Sequence, residues 1–317
     1  MSLARMPFDI IGDIHGQADA LHRLLRSMGY DQRRGAWKHS ERTAVLVGDY
    51  IDAGPEQLAA VTTVRRMVDE GAATALLGNH EFNAICWFTR DPEIPGDFLR
   101  SRFSPEWGAK NRKQHQAFLS EFEANEALHR DTIEWFLTLP LWFESEGLRV
   151  VHACWDEQAI ETLANRLGPS NSLAAQGIIE AGRDGSELNA AVERVLKGQE
   201  ISLPKGTYFH DAYGIRRDQV RRRWWDASAV TYRTAALLPP SEANQLPDNQ
   251  LPVSVLFPVN YSRTTLFGHY CMADSSPRLS SHFGCVDTCA ARGKRLSAYR
   301  WDGETILDPA KFNSVPV

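Results

Sequence analysis

Three short polar segments flanked by glycine occur in the first quarter of the chain. They are residues 12–16 (Gly-Asp-Ile-His-Gly), 48–55 (Gly-Asp-Tyr-Ile-Asp-Ala-Gly-Pro) and 78–81 (Gly-Asn-His-Glu). Each follows an apolar run typical of a buried strand, at residues 8–11, 43–47 and 72–77, and each precedes a helical pattern. This alternation predicts a largely parallel sheet with helices packed on it. Because such sheets bind ligands at the carboxyl ends of their strands, we expect a functional site there.

The rest of the chain predicts further helices, further strands and an insertion. Helical periodicity covers residues 111–126, 131–139 and 156–200, and strand-like runs cover 148–151, 264–267, 285–288 and 296–301. Residues 239–252 are rich in proline and polar residues and predict a loop or linker. Since candidate site residues extend from Asp13 to His269, we predict a single domain over residues 1–317, with an insertion or cap at approximately 156–250.

The composition is that of an ordinary soluble protein and excludes some functions. Hydrophobic residues make up 43% of the chain and charged residues 24%. The net charge of −5 argues against a nucleic-acid partner, and no apolar run approaches the ~20 residues of a membrane span. A site for an anionic phosphate would therefore need local positive charge, from metal ions or clustered arginine.

The cysteine content favours a reducing compartment. The chain has five cysteines, an odd number, and its first residues contain no apolar leader. We therefore expect reduced thiols and a cytoplasmic protein. Cys285 and Cys289 have a spacing seen in metal sites, but no second pair completes such a site, so we interpret them as ordinary buried cysteines.

The side chains in the three polar segments suit metal-assisted chemistry. Carboxylate, imidazole and amide groups together are typical ligands of divalent metal ions. Two such ions about 3.5–4 Å apart, bridged by a carboxylate, can activate water and bind the oxygens of a phosphate ester. Taken singly, Asp13 or Asp49 is equally well explained as a helix N-cap. The presence of all three segments in order favours the metal site.

These segments resemble the phosphoprotein phosphatase (PPP) family of calcineurin-like metallophosphoesterases. The family pattern is Gly-Asp-x-His-Gly, Gly-Asp-x-x-Asp-Arg-Gly and Gly-Asn-His-Glu, followed by two isolated metal-binding histidines. Here those histidines are His152 and His269, each of which ends a strand-like run. The resemblance implies an α/β sandwich of two β-sheets flanked by helices, here with a helical insertion.

The resemblance also implies a role for each matching residue. Asp13 and His15 would bind the first metal ion, Asp49 would bridge both, and Asn79, His152 and His269 would complete the second site. His80 would protonate the leaving group, and Asp52 would orient its imidazole. We expect Glu81 to be a helix N-terminal charge or an outer partner of the site. The other six histidines have no such context and are expected at the surface or in packing: His22, His39, His115, His129, His210 and His282.

One position departs from the family pattern. The family arginine of the second segment, which helps to bind the substrate phosphate, is Ala53 here. Another cation should replace it. Among the clustered arginines at 216–223 we expect Arg223, with Arg222, to bind the substrate; a solvated basic face beside two core tryptophans is the alternative. The neighbouring Trp224 and Trp225, like Trp155 after His152, could stack a nucleobase or simply fill the core.

The resulting functional prediction is a dinuclear metal-dependent phosphoesterase. Its main form is a phosphatase, similar to serine/threonine phosphatases, that hydrolyses phosphoprotein or small phosphate monoesters by attack of a metal-bound hydroxide. The alternative is a hydrolase of nucleoside polyphosphates resembling the bis(5'-nucleosyl)-tetraphosphatases, and a non-catalytic binding protein on the same fold is a third reading. We expect two divalent ions, with manganese favoured although iron, zinc or nickel also fit. The expected partner is a phosphorylated substrate, not a membrane or a nucleic acid.

Overall fold

The structure is a computed structural model that describes residues 7–210, 214–272 and 277–317, without the side chains of 174–176. The first six residues, part of the stretch in which we found no leader, lie outside this range. The strands are β1 (Phe8–Ile11), β2 (Asp31–Arg33), β3 (Ala36–Lys38), β4 (Thr43–Leu46), β5 (Ala73–Ala75), β6 (Trp142–Ser145), β7 (Leu148–Val151), β8 (Glu200–Ser202), β9 (Phe209–His210), β10 (Arg216–Arg217), β11 (Gln219–Arg221), β12 (Thr264–Phe267), β13 (Phe283–Cys285), β14 (Arg295–Trp301) and β15 (Phe312–Pro316). The helices are α1 (Ala18–Ser27), α2 (Gln57–Asp69), α3 (Asn79–Phe88), α4 (Gly108–Gln114), α5 (Gln116–Phe122), α6 (Glu126–Phe136), α7 (Glu157–Leu167), α8 (Ala174–Ala181), α9 (Glu187–Lys197), α10 (Tyr232–Ala235) and α11 (Pro240–Ala243), with short 3-10 turns at Val253–Val255, Ala290–Arg292 and Pro309–Lys311.

The three strands before the polar segments lie side by side in one sheet. The order of this sheet is β15-β14-β1-β4-β5, and β4 pairs in parallel with both β1 and β5. On the other side of β1, β14 runs antiparallel to it, and β15 pairs antiparallel with β14 at the edge of the sheet. Because the parallel strands end at the same edge, the segments at 12–16, 48–55 and 78–81 meet there, as the sequence predicts.

A second sheet carries the two isolated histidines. Its order is β13-β12-β7-β6, and β12 pairs in parallel with β7 and β13. Leu266 and Val150 are register partners, so β7 and β12 end side by side. His152 and His269 follow these two strands and therefore lie at the same edge of this sheet.

One apolar core joins the two sheets. Ile10, Val45 and Leu76 of the first sheet belong to the same buried cluster as Val150 and Leu266 of the second. Strands buried on both faces are expected where a parallel sheet is covered on both sides. The predicted α/β sandwich is confirmed, and its two sheets bring all the strand-end segments to one place.

The helices follow the predicted pattern with one informative exception. The predicted helix at 111–126 is two helices, α4 and α5, which meet at His115. The next helix, α6, begins at Glu126, where Asn125 caps it by accepting the N–H of Leu128. Because the helix is broken at His115, the side chain of this residue does not follow the direction that a continuous helix would give it.

The chain divides into two compact units. The larger unit comprises Met1–Leu196 with Ser262–Val317, and the smaller unit is Lys197–Tyr261. The smaller unit has its own apolar core, which includes Ile201, Val220 and Leu251. Its bounds differ from the insertion predicted at 156–250, because α7, α8 and nearly all of α9 belong to the larger unit. In the described parts of the chain, no helix combines the length and apolar character that a membrane crossing requires.

Cys271 and Cys289 form a disulfide bond, which corrects the expectation that all thiols are reduced and that Cys289 is an ordinary buried cysteine. Phe267 of β12 and Cys285 of β13 are register partners. Cys271 lies four positions after Phe267, and Cys289 lies four positions after Cys285. Asp287 accepts the backbone N–H groups of Cys271 at 2.6 Å and Cys289 at 2.9 Å, which holds the two loops together. The pairing depends on strand register, and the spacing of cysteines along the chain does not reveal it.

Candidate metal centre

Several site residues adopt a backbone conformation that L-amino acids rarely adopt. His15, Asp49, Asp52 and His269 have φ angles of 48°, 55°, 67° and 71°. This left-handed region carries a steric cost for residues with a Cβ atom, and such residues concentrate at functional sites. The turns immediately after β1, β4 and β12 are therefore held in conformations that the surrounding structure must stabilise.

A buried carboxylate stabilises the turn after β4. Glu81 is fully buried and accepts the N–H groups of Asp49 at 2.8 Å, Tyr50 at 2.7 Å and Gly78 at 3.1 Å. These bonds satisfy backbone donors that would otherwise be left unpaired at a strand end. Glu81 thus links the second and third polar segments and fixes the backbone that carries Asp49.

The carboxylate of Asp49 lies between two clusters of possible metal ligands. Nε2 of His15 lies 3.6 Å from Oδ2 of Asp49, and Nε2 of His152 lies 3.5 Å from Oδ1. Ligand atoms of His15, Asp49 and His80 lie within 4.8 Å of one another, as do those of Asp49, His152 and His269. The two oxygens of Asp49 therefore face different clusters, an arrangement that would suit a bridging carboxylate.

Acceptor atoms face one another in the second cluster. Nδ1 of His152 donates to the carbonyl oxygen of Val47 at 2.9 Å, and burial lowers the pKa of this histidine. Its Nε2 therefore carries a lone pair, and it lies 3.0 Å from Oδ1 of Asn79. Nδ1 of His269 lies 2.8 Å from the same oxygen. A cation near Nε2 of His152 and Oδ1 of Asn79 would remove the repulsion between these two acceptors, so the cluster fits a metal ion.

The surroundings of Asp13 also suit a positively charged ion. Its Oδ2 accepts the N–H of His269 at 3.0 Å, while its Oδ1 is buried and has no hydrogen-bond partner among the described residues. Burial, together with the charges of Asp287 and Asp49, raises its pKa well above the usual range. A buried carboxylate in this position is stabilised by a nearby cation, so Asp13 also fits the metal centre.

Two glycines provide the space that these carboxylates occupy. A Cβ atom on Gly268 would lie 2.0 Å from Oδ1 of Asp13. A Cβ atom on Gly78 would lie 2.2 Å from the backbone nitrogen of Asp49 and 2.3 Å from its Oδ1. Any other residue at either position would displace a carboxylate of the centre.

His80 and Asp52 form a close pair beside the first cluster. Nδ1 of His80 lies 2.7 Å from Oδ2 of Asp52, and Nε2 of the same ring lies 3.8 Å from Oδ2 of Asp49. Burial alone would lower the pKa of His80, but the carboxylates of Asp49 and Asp52 outweigh burial and raise the pKa to about 9. Burial would likewise raise the pKa of Asp52, but His115 and His80 hold it well below its usual range. Each member of the pair therefore favours the charged form of the other.

Sequence reasoning missed two residues near this pair. His115, expected at the surface or in packing, is buried with Nδ1 at 3.1 Å from Oδ1 of Asp52. Arg100 donates to the amide oxygens of Asn83 at 3.0 Å and Gln114 at 2.7 Å, and it makes no ion pair with any residue that the structure describes. Burial lowers the pKa of Arg100, and Asp52 is among the groups that oppose this shift. Neither residue lies in a recognisable motif, so the sequence gives no local signal for them.

The arginines predicted to bind substrate belong to the smaller unit. Arg222 is 2% exposed and donates to Oε1 of Gln199 and to the carbonyl oxygen of Val255, each at 3.0 Å. Arg223 is partly exposed, and its guanidinium donates to the carbonyl oxygen of Thr234. The tryptophans suggested for base stacking, Trp155, Trp224 and Trp225, are all buried, which favours the core interpretation.

Two adjacent clusters of nitrogen and oxygen ligands that share one carboxylate, at the strand ends of an α/β sandwich, define a dinuclear metalloprotein. The chain belongs to the calcineurin-like phosphoesterase family, whose profile matches residues 6–167. This family is by name a class of phosphoric ester hydrolases, the class that the sequence predicts. The family implies two divalent metal ions, and the donor set described above fits them.

Two relatives and one solved structure are similar to this chain. The asymmetrical bis(5'-nucleosyl)-tetraphosphatase PrpE of Oceanobacillus iheyensis is 30% identical over 149 residues, which cover 47% of this chain and 55% of that protein. The protein of the same name from Halalkalibacterium halodurans is 42% identical over 76 residues, 24% of this chain and 31% of that protein. The matches thus span about half or less of these relatives. The solved structure of a serine/threonine phosphatase from Saccharomyces cerevisiae matches this chain with a TM-score of 0.50 at 12% sequence identity. The match covers all of this chain and 81% of the phosphatase chain, and it shows that the two have a common fold.

Proposed function

We propose that this protein is a dinuclear metal-dependent hydrolase that cleaves dinucleoside polyphosphates. The observation that carries the reaction class is the position of Asp49 between two ligand clusters. The substrate class is supported by the likeness of the motif region to proteins named as bis(5'-nucleosyl)-tetraphosphatases. The phosphatase of phosphate monoesters is the second candidate, since the same site chemistry serves both.

The proposed metal ligands are those that the family resemblance implies, and their position near the strand ends supports this set. Asp13 and His15 would hold the first ion, Asp49 would bridge, and Asn79, His152 and His269 would hold the second. Divalent ions bound there would supply the positive charge that acidifies water and offsets the charge of the phosphate. Manganese is the proposed ion, because carboxylate and amide oxygens suit it. A cytoplasmic location, expected from the composition, stays a prediction.

His80 is the proposed general acid. Its Nδ1–H donates to Asp52, so the ring is fixed with Nε2 towards the ligand cluster. In that orientation Nε2 can give its proton to the leaving oxygen, and Asp52 stabilises the positive charge of the ring until the transfer occurs. The contribution is largest when the leaving oxygen is a strong base, as in an alkyl or phenyl ester.

The negative charge of a polyphosphate requires cations besides the metal ions, and Ala53 cannot provide one. Arg100 is a proposed contributor in the larger unit, because its guanidinium donates to neutral amides and makes no ion pair with a described residue. Its hydrogen bond to Asn83 places it one helical turn along α3 from Asn79. The predicted roles of Arg222 and Arg223 in substrate binding stay predictions, since both lie in the smaller unit.

A comparison of substrates tests the proposed function. Chelator-treated protein would be assayed with and without manganese on diadenosine tetraphosphate, p-nitrophenyl phosphate and a phosphoserine peptide, with Asp49→Asn as the inactive control. We expect the highest kcat/KM for the dinucleotide. Chromatography of the products distinguishes cleavage between the first and second phosphates of the bridge, which gives AMP and ATP, from central cleavage, which gives ADP alone. A preference for either monoester would contradict the substrate assignment and leave the metal centre intact.

A further inference from the structure

We propose that His115 is a positioning residue, which holds the carboxylate of Asp52 in the orientation that it needs to accept a hydrogen bond from His80. The inference rests on the proposed role of His80 as general acid. Nδ1 of His115 lies 3.1 Å from Oδ1 and 3.2 Å from Oδ2 of Asp52. Since an ionised carboxylate only accepts hydrogen bonds, Nδ1 of His115 carries the proton and donates it to this contact.

Asp52 needs this support because its own backbone provides little. The residue has a φ angle of 67°, in the left-handed region, and it lies in a turn beside the exposed Ala53. Its backbone N–H donates to Oε1 of Gln57 at 2.7 Å, which fixes the main chain and leaves the rotation of the carboxylate free. Donors on His80 and His115 restrict that rotation together, so that the loss of His115 would loosen the remaining contact.

The position of His115 is itself rigid. It lies at the junction of α4 and α5, where its ring stacks on Phe118 with centroids 4.8 Å apart and contacts Trp87 edge-on. Glu121 of α5 accepts the backbone N–H of Gln57 at 2.7 Å, at the start of α2. The break between α4 and α5 thus places the imidazole against Asp52. The bond from Gln57 to Glu121 is a second attachment of α5 to the segment that follows β4.

The environment of His115 assigns it to orientation and not to proton transfer. Its Nε2 is buried and has no hydrogen-bond partner among the residues that the structure describes. A proton relay would need an acceptor hydrogen-bonded to that atom, and the described residues provide none. His115 therefore acts through Asp52 and never contacts the reacting groups.

Three substitutions test this role in the manganese-loaded protein, with phenyl phosphate and p-nitrophenyl phosphate as substrates. His115→Ala should lower kcat on phenyl phosphate by about 10-fold, the usual cost of losing an orienting partner. The loss on p-nitrophenyl phosphate should be smaller, because its leaving group needs less protonation. His115→Asn should restore most of kcat, since the amide N–H takes the place of Nδ1–H. His115→Gln, whose amide lies one atom further out, should not.

The outcomes separate this inference from the proposed role of His80. The positioning role would be overturned if His115→Ala lowered kcat equally on the two esters, or if kcat of His115→Asn were no higher than kcat of His115→Gln. If His80→Asn also lowered kcat equally on both esters, the assignment of His80 as the general acid would itself fail. Thermal unfolding checks that each variant folds, and if the Ala variant does not fold, the comparison of Asn with Gln decides.

Discussion

Nδ1 of His80 lies 2.7 Å from Oδ2 of Asp52, and this contact directs the other nitrogen of the ring towards Asp49. The two residues come from different polar segments, one after β4 and one at the start of α3. Because both lie at strand ends of one sheet, the fold alone brings them together. The arrangement leads to separate predictions for the acid, the metal ligands and the surrounding charges.

Removal of the acid should depend on the leaving group. His80→Asn should lower kcat on phenyl phosphate by roughly 10²–10³-fold, within the range for loss of a general acid. The loss on p-nitrophenyl phosphate should be clearly smaller, because that leaving group departs without a proton. Steady-state kinetics on the two esters measures both values, and manganese binding should persist. Equal losses would show that His80 is not the acid.

A single methyl group should disrupt the metal centre. Gly268→Ala places a Cβ atom 2.0 Å from Oδ1 of Asp13, so Asp13 or the His269 turn must move. We expect manganese affinity, measured by calorimetry, to fall at least about 10-fold. Gly177→Ala is the matched control. Among the described side chains, its Cβ would meet Leu188 at 3.9 Å, an ordinary contact, and alanine favours the helix. Wild-type affinity in Gly268→Ala would contradict the placement of Asp13.

The charge of Arg100 should affect substrate binding more than turnover. Arg100→Gln keeps hydrogen-bonding capacity beside Asn83 and removes the positive charge. We expect KM for diadenosine tetraphosphate to rise about 10-fold, consistent with the ~1.5–3 kcal/mol of a hydrogen bond to a charged group, with a smaller change in kcat. Arg112→Gln is the control, because Arg112 pairs with Glu123 at the surface. An unchanged KM would exclude Arg100 from the substrate site.

A buried histidine outside the site should make stability depend on pH. Burial, with the nearby charges of His115 and Arg102, lowers the pKa of His129 from 6.5 to about 4. Between these values the unfolded chain binds more protons than the folded chain, so the free energy of unfolding falls as pH falls from 6.5 to 4. His129→Met should flatten this dependence in urea titrations at pH 7.5 and 5. The same change at the exposed His210 is the control and should leave the pH dependence as it is. If the free energy of unfolding of His129→Met fell between pH 7.5 and 5 as much as that of the wild type, His129 would not be the source of the pH dependence.

The sequence predicts the strand-end segments well because each signal is local. An apolar run followed by glycine and a polar ligand marks the end of a buried parallel strand, and β1, β7 and β12 have the predicted bounds. The parallel pairing of β7 with β12 then places His152 and His269 together. The sandwich and the set of candidate ligands are then implied by the family resemblance that these short segments carry.

Other features depend on contacts between distant parts of the chain, which local patterns do not encode. His115 reaches Asp52 because the helix predicted at 111–126 is broken, and Arg100 reaches Asn83 from an irregular loop. The Cys271–Cys289 bond depends on the register of β12 with β13. The arginine cluster is prominent in the sequence, yet Arg222 is committed to the core of the smaller unit.

The most direct test of the central claim is the number of metal ions bound per chain. Chelator-treated wild type, Asn79→Ala and Asp49→Asn would be equilibrated with manganese, and the bound metal would be counted by elemental analysis. We predict two ions for the wild type, one for Asn79→Ala, and none for Asp49→Asn, because Asp49 serves both clusters. Two ions retained by Asp49→Asn would show that this carboxylate does not bridge and would contradict the account.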